Sequence, residues 1–281
     1  MPKRKTIKEK KSARRLQRVL VLLCSIGIVS LIYIIFVSPL FRISNIEVKL
    51  DKINCTDENA IKEAINLNNQ WIFKIDKSFE ESLKRKFSCI HQISSQIVLP
   101  SSFQINASGR QPLAVIKILK PESSQSAVLA EPLIISSDSA KVIRQSFLDF
   151  SKLVSDSSFI VDSEGVVFAV GEDPSLPILF LAGGNLKLGE IVKDDLVKNA
   201  VMILSGLKVL NLNVSSSKIV GNSLVINSEP KILFALVRDI KDQLASLQLI
   251  LQEAKMEDAT MEFVDLRFRN PVVKYMEKKG E

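Results

Sequence analysis

The strongest constraint in this chain is an uncharged apolar run directly behind a basic tail. Met1 to Arg18 holds nine Lys/Arg and one acid, Glu9, and Val19 to Val37 then reads VLVLLCSIGIVSLIYIIFV without a charge. A helix of 19 residues rises about 28 Å, close to the hydrocarbon thickness of a bilayer. The reading is a transmembrane helix over 19–37. The basic tail, 1–18, stays cytoplasmic and everything beyond Pro39 lies outside. A cleaved signal peptide is the alternative, but it calls for a shorter apolar core and small residues at a cut site. Ser38-Pro39-Leu40-Phe41-Arg42 is a poor match to such a site.

Charge follows from the same feature. The chain carries +7 overall and the first 18 residues carry +8, so the remainder is close to neutral at −1. A nucleic-acid-binding face is therefore not expected. No second run after the anchor is long and apolar enough to span, so about 240 residues are left for one or two external domains. Of three cysteines, Cys24 falls in the apolar run. Cys55 and Cys89 face an oxidising compartment on this reading. There they form a candidate disulfide or pack as small hydrophobes.

Periodicity divides the external chain. Ile46, Val48 and Leu50 alternate as a strand, and Thr56 is a candidate cap for a short helix with Ile61, Ala64 and Ile65 on one face. Asp76 opens a second helix, with Phe79, Leu83 and Phe87 on one stripe. Ile90 to Leu99 and Phe103 to Ser108 read as two further strands. The order β-α-α-β-β fits a small domain over 41–115. Farther on, Phe159 to Val161 and Val166 to Val170 flank a polar turn in which Asp162 bonds local backbone and Gly165 takes positive φ. Asp194 caps a helix running to Leu210. Gly221-Asn222 marks a turn. Leu236, Ile240, Leu244, Leu247 and Leu251 make the apolar stripe of a long helix. Glu262 to Phe268 alternates as a closing strand, and Pro271 suits an edge. Between the two domains, Ile116 to Ser158 is Ser-rich, with a helix pattern from Ala140 to Val154.

These residues carry a resemblance. The β-α-α-β-β module resembles a POTRA domain. Gly109-Arg110-Gln111-Pro112-Leu113-Ala114 resembles the R-x-P-x-A ending of the FtsQ/DivIB family of bacterial division proteins. Val161-Asp162-Ser163-Glu164-Gly165-Val166-Val167-Phe168 resembles that family's V-D-x-x-G-x-V-F hairpin. Leu176-Pro177-Ile178-Leu179 with Gly183 is similar to its L-P-x-L-x-G step, Leu188-Gly189 to the turn after it, and Val264-Asp265-Leu266-Arg267-Phe268 to its terminal D-L-R-[YF] strand. The implied fold class is α+β: one N-terminal transmembrane helix, a POTRA domain (41–115), a mixed α/β FtsQ-type β-domain (116–275) with a Ser-rich insertion near 118–158, and a tail (276–281). The chain departs from the pattern in the length of that insertion, and in lacking a Leu-Gly before the last helix.

Chemistry is sparse. The single histidine, His91, sits in a strand, so no Ser-His-Asp or Cys-His set can form without it. No H-E-x-x-H, C-x-x-C or G-x-S-x-G occurs. Gly184 to Gly189 has the glycine spacing of a phosphate loop, but Glu190-Ile191 stand where Lys and Ser/Thr belong. Glu257, Asp258, Glu262 and Asp265 read as solvated charges. No catalytic role, cofactor or metal is expected.

The resemblance implies a noncatalytic scaffold in the bacterial inner membrane at the division site, with its N-terminus cytoplasmic and its domains periplasmic. It holds FtsB- and FtsL-like partners by β-augmentation and other division proteins through the POTRA domain. Carried over by motif, the contact stretch is Val264, Asp265, Leu266, Arg267 and Phe268 with the following Arg269 to Tyr275. Arg267 is placed to pair with a partner acid, and Phe268 and Tyr275 to anchor. Phe268 packed in the sheet is the plain alternative. A POTRA-bearing assembly or secretion factor is the competing function, disfavoured because no C-terminal barrel pattern follows.

Overall fold

The computed structural model describes residues 19–30, 32–34, 41–53, 55–65, 67, 70–71, 75, 78–119 and 155–276. The predicted helix at 140–154, the basic tail and residues 277–281 lie outside them. The first expectation to be corrected is the transmembrane helix. Among the described residues, no helix is long and apolar enough to cross a membrane. The continuous described run, 19–30, is 12 residues, about 18 Å of helix and well short of the roughly 30 Å of a bilayer core. Residues 31 and 35–37 of the expected span are not among the described ones.

The chain divides into two compact units, one of residues 1–84 and 92–108, the other of 85–91 and 109–281. The last crossing between the units falls after Ser108. The first unit runs β1 (Asn45–Asp51), α1 (Glu58–Ile65), α2 (Ser78–Lys86), β2 (Ile90–Val98) and β3 (Ser102–Gly109). Its sheet has the order β1-β3-β2, with β1 parallel to β3. Alternation sets the faces. Ile46 and Val48 on β1 and Phe103, Ile105 and Ala107 on β3 are buried, while the residues between them are more exposed. Against that face α1 turns Ile61 and Ile65, and α2 turns Leu83. Phe79 meets Phe103 edge to face at 5.8 Å. Each fully buried aliphatic such as Ile61 or Ile105 contributes about 1.5–3 kcal/mol. Thr56 is not the cap of α1. Asp57 is: its Oδ1 accepts from Ala60 N at 2.7 Å, because a carboxylate is the stronger acceptor for an orphan amide. The Thr56 hydroxyl is buried without a partner.

The second unit is built on a nine-stranded mixed sheet. Its strands are β4 (Ala114–Leu119), β5 (Ser155–Val161), β6 (Val167–Val170), β7 (Ile178–Leu181), β8 (Val214–Val220), β9 (Ser223–Ser228), β10 (Lys231–Ala235), β11 (Met261–Asp265) and β12 (Val272–Tyr275). The order across the sheet is β12-β11-β10-β9-β8-β7-β4-β5-β6. Three of these strands, β4, β7 and β10, carry no alternation in sequence. Apart from Lys117 in β4 and Lys231 at the start of β10 they are apolar, as in Ile178-Leu179-Phe180-Leu181, the pattern of central strands buried on both faces.

Two helices, α3 (Asp195–Val209) and α4 (Ile240–Met256), cover one face. Asp194 caps α3, accepting from Leu196 N at 2.8 Å and Val197 N at 3.2 Å. Gly206 lets α3 approach α4; a Cβ there would stand 3.0 Å from Leu244 Cδ2. The apolar stripe places the helix of α4 correctly but starts it too early. Leu236 is fully buried in the turn after β10, and the helix begins at Ile240 behind its cap Asp239. Between β8 and β9, Gly221 at φ +54° makes a two-residue reversal of the kind whose twist suits a hairpin.

Candidate docking edge

The D-L-R-F stretch is not the edge of the sheet. β11 pairs in parallel with β10 and antiparallel with β12, so it has a neighbour on each side. Pro271 does not end the sheet either. It introduces β12, where a residue without an amide proton is tolerated because one side of an edge strand has no ladder to feed. Two bonds fix which groups of β12 face out. Leu266 N donates to Leu233 O at 2.9 Å, which turns the even residues of β11 toward β10. The odd ones, Phe263 and Asp265, therefore pair with Lys274 and Val272. Met276 N donates to Thr260 O at 2.8 Å in the same phase. By alternation Val273 and Tyr275 present their amides and carbonyls away from the sheet.

Burial separates the expected contact residues into two groups. Val264, Asp265 and Leu266 are 0%, 3% and 1% exposed and cannot touch a partner through their side chains. Arg267 is also spoken for. Its Nε and Nη2 donate to Asp265 Oδ1 and Oδ2 at 2.9 and 2.7 Å, and its backbone N donates to Oδ1 at 3.1 Å. The guanidinium carbon lies 5.7 Å from the Phe268 ring centre. Arg267, which the resemblance offers to a partner acid, is held in bidentate geometry by an acid two residues away. Phe268, Arg269 and Tyr275 are at the surface, and Val272 and Met276 join them. Lys274 pairs with Glu262 across the strands. Near the Met276 end, a cleft of about 510 Å³ opens between Leu251, Ala254, Met261 and Met276.

The opposite edge, β6, is occupied by its own chain. Val167 N donates to Glu190 O at 3.0 Å, Gly189 N donates to Val167 O at 2.7 Å, and Ser88 Oγ donates to Phe168 O at 3.0 Å. The segment that superficially matched a phosphate loop is therefore an edge cover.

Two stretches read separately in the sequence meet in one ion-pair cluster. Arg110, from the R-x-P stretch, pairs with Asp162, from the V-D-x-x-G hairpin, and with Glu164 at 3.2 Å. Arg110 Nε donates to Ser88 O at 3.1 Å. Asp162 Oδ1 accepts from Glu164 N and Val166 N at 3.0 and 2.9 Å, the local turn expected for it. His91 stands 3.6 Å from Glu164. His91, Asp162 and Glu164 bring ligand atoms within 4.8 Å of one another, but the Arg110 guanidinium already supplies the cation. Both oxygens of Asp162 are committed, and the cluster fastens the R-x-P stretch to the hairpin. Of the other titratable groups, buried Lys218 on β8 has its ammonium pushed below the usual lysine range by desolvation.

Cys55 and Cys89 are both disulfide-bonded, and Cys24 is free. The chain matches no known protein-family profile and no curated protein.

Proposed function

We propose that this chain is a noncatalytic docking scaffold of the FtsQ/DivIB kind, holding FtsB- and FtsL-like division partners by β-augmentation at the β12 edge. One observation carries the reading. Of the two ends of the nine-stranded sheet, β6 meets its own chain at 189–190, and β12 has no strand beyond it among the described residues, with Val273 and Tyr275 offering main-chain bonds outward. An extended partner strand laid there gains main-chain bonds for affinity, and exposed Val272, Tyr275 and Met276 supply side-chain contacts for specificity. The bonded Cys55 and Cys89 fit an oxidising compartment outside the cytoplasm. In this reading the first unit serves other division proteins.

The test is Val273→Pro in the tagged full-length chain, followed by co-purification with FtsB/FtsL-like proteins. The substitution removes an outward amide and leaves the bonds of Val272, Lys274 and Met276 to β11 intact. Loss of one such bond, about 1 kcal/mol, weakens capture roughly five- to tenfold. Unchanged capture refutes the edge. Truncation after Asn270 is the companion variant. A deletion from Val264 onward is a poor probe, because it strips fully buried Val264 and Leu266 from the core.

A further inference from the structure

The Asp265 carboxylate is held in a way that ordinary strand chemistry does not require. It is 3% exposed, yet it sits at the last residue of β11, where the chain leaves the sheet, turns through 267–270 and returns as β12. One oxygen accepts the Arg267 backbone N–H and Nε–H, and the other accepts Nη2–H. From the side, Arg238 Nη1 donates to Leu266 O at 3.1 Å. The guanidinium ends over the Phe268 ring. Four successive residues at the root of the reversal are thus tied by one buried acid and two arginines. A buried carboxylate with three donors is a far tighter fastening than an exposed pair.

We infer that Asp265 and Arg267 form a latch that sets the presentation of β12, acting as positioning residues for the docking edge and not as partner contacts. The inference rests on the proposed docking at β12. β12 has only four residues. Besides its main-chain ladder with β11, two devices tie it there, and both are weak. The Glu262–Lys274 pair has side chains 36% and 47% exposed, which leaves it screened by water. The Met276–Thr260 bond is a single backbone contact at the far end. Between Met261 and Phe263 the register shifts, so the ladder is interrupted beside that end as well. The latch fixes the turn from which that ladder starts, and so keeps the strand in register. Without it, the Val273 and Tyr275 amides no longer stand in a fixed extended row for a partner to read.

The experiment is residue-resolved amide exchange on the full-length chain in three variants: Asp265→Asn, Arg267→Met and Lys274→Gln. Asn keeps the size of the acid but turns an amide donor toward Arg267 Nη2. In the first two variants, exchange at Lys274 and Met276 accelerates at least tenfold, while Ser223 and Val225 in the β8–β9 ladder keep their protection. In Lys274→Gln the acceleration stays under threefold. Unchanged exchange at β12 in Asp265→Asn overturns the latch. So does equal acceleration of the β8–β9 ladder, which would make the pair a general support of the fold. Lys274→Gln loosening β12 as much as Asp265→Asn also overturns it. None of these results depends on a partner, whereas unchanged partner capture by Val273→Pro sinks the docking reading and leaves the latch standing.

Discussion

Gln243 is the polar side chain on which the second unit most depends. It lies in the first turn of α4 and is 3% exposed. Its Oε1 accepts from Ala235 N at 2.8 Å, and its Nε2 donates to Ala235 O at 2.9 Å and to Asp239 O at 3.1 Å. The pairing of β10 with β11 covers only Lys231 to Leu233. At Ala235 the ladder on that side has run out, and the glutamine amide stands in for the missing strand. Gln243→Leu keeps the bulk and removes the amide, so one buried N–H and one buried C=O lose their partners. Each orphaned group costs about 1–3 kcal/mol, and the added apolar burial returns about 1 kcal/mol. The expected net loss is about 1–5 kcal/mol, a large share of a typical 5–15 kcal/mol. The assay is urea unfolding followed by far-UV circular dichroism, because the single tryptophan, Trp71, belongs to the other unit and does not report on this one. A loss below about 1 kcal/mol with an unchanged urea slope refutes the reasoning, since it means water reaches Ala235 at no cost.

Asp162→Ala takes from the Arg110 guanidinium, 14% exposed, its buried acid, leaving it Glu164 and Ser88 O, and leaves two turn amides without their acceptor. About 3 kcal/mol of stability is expected to go, seen as a lower urea midpoint and faster exchange at Val166. Lys218 carries a pH signature. Its pKa is lowered in the folded state by burial, so above that value the unfolded chain binds more protons than the folded one and stability rises with pH. The gain is complete above the ordinary lysine value of about 10.4. In Lys218→Met this alkaline rise should vanish, and an identical pH profile in thermal melts of the two proteins would show that the burial costs the ammonium nothing.

Local signals in the chain were readable where one residue answers one local demand. The Asp194 cap, the Gly221 reversal, the Asp162 turn and the apolar stripe of α4 each depend on neighbours within about four positions. Failures occurred where a competing local or distant group decides. Asp57 displaced Thr56 as a cap because it was the better acceptor one residue along. Leu236 matched the helical stripe but is buried by tertiary packing in a turn. β4, β7 and β10 went unread as strands because burial on both faces erases the alternation that marks a half-exposed strand. The transmembrane reading rested on the composition of the run alone, and the described helix is too short to carry it.

The docking edge divides along the same line. From sequence alone came the expectation of strand structure in the last twenty residues, where the proposed contact region lies, since alternation and Pro271 are local properties of the chain. Which strand there is open, and which side chains are free, depends on pairings between segments far apart. β10, some thirty residues upstream of β11, takes one side of it and β12 takes the other. Asp265 consumes Arg267, and the 189–191 segment closes the far edge at β6. An edge is defined by the absence of a neighbour, and that is a property only the assembled sheet possesses.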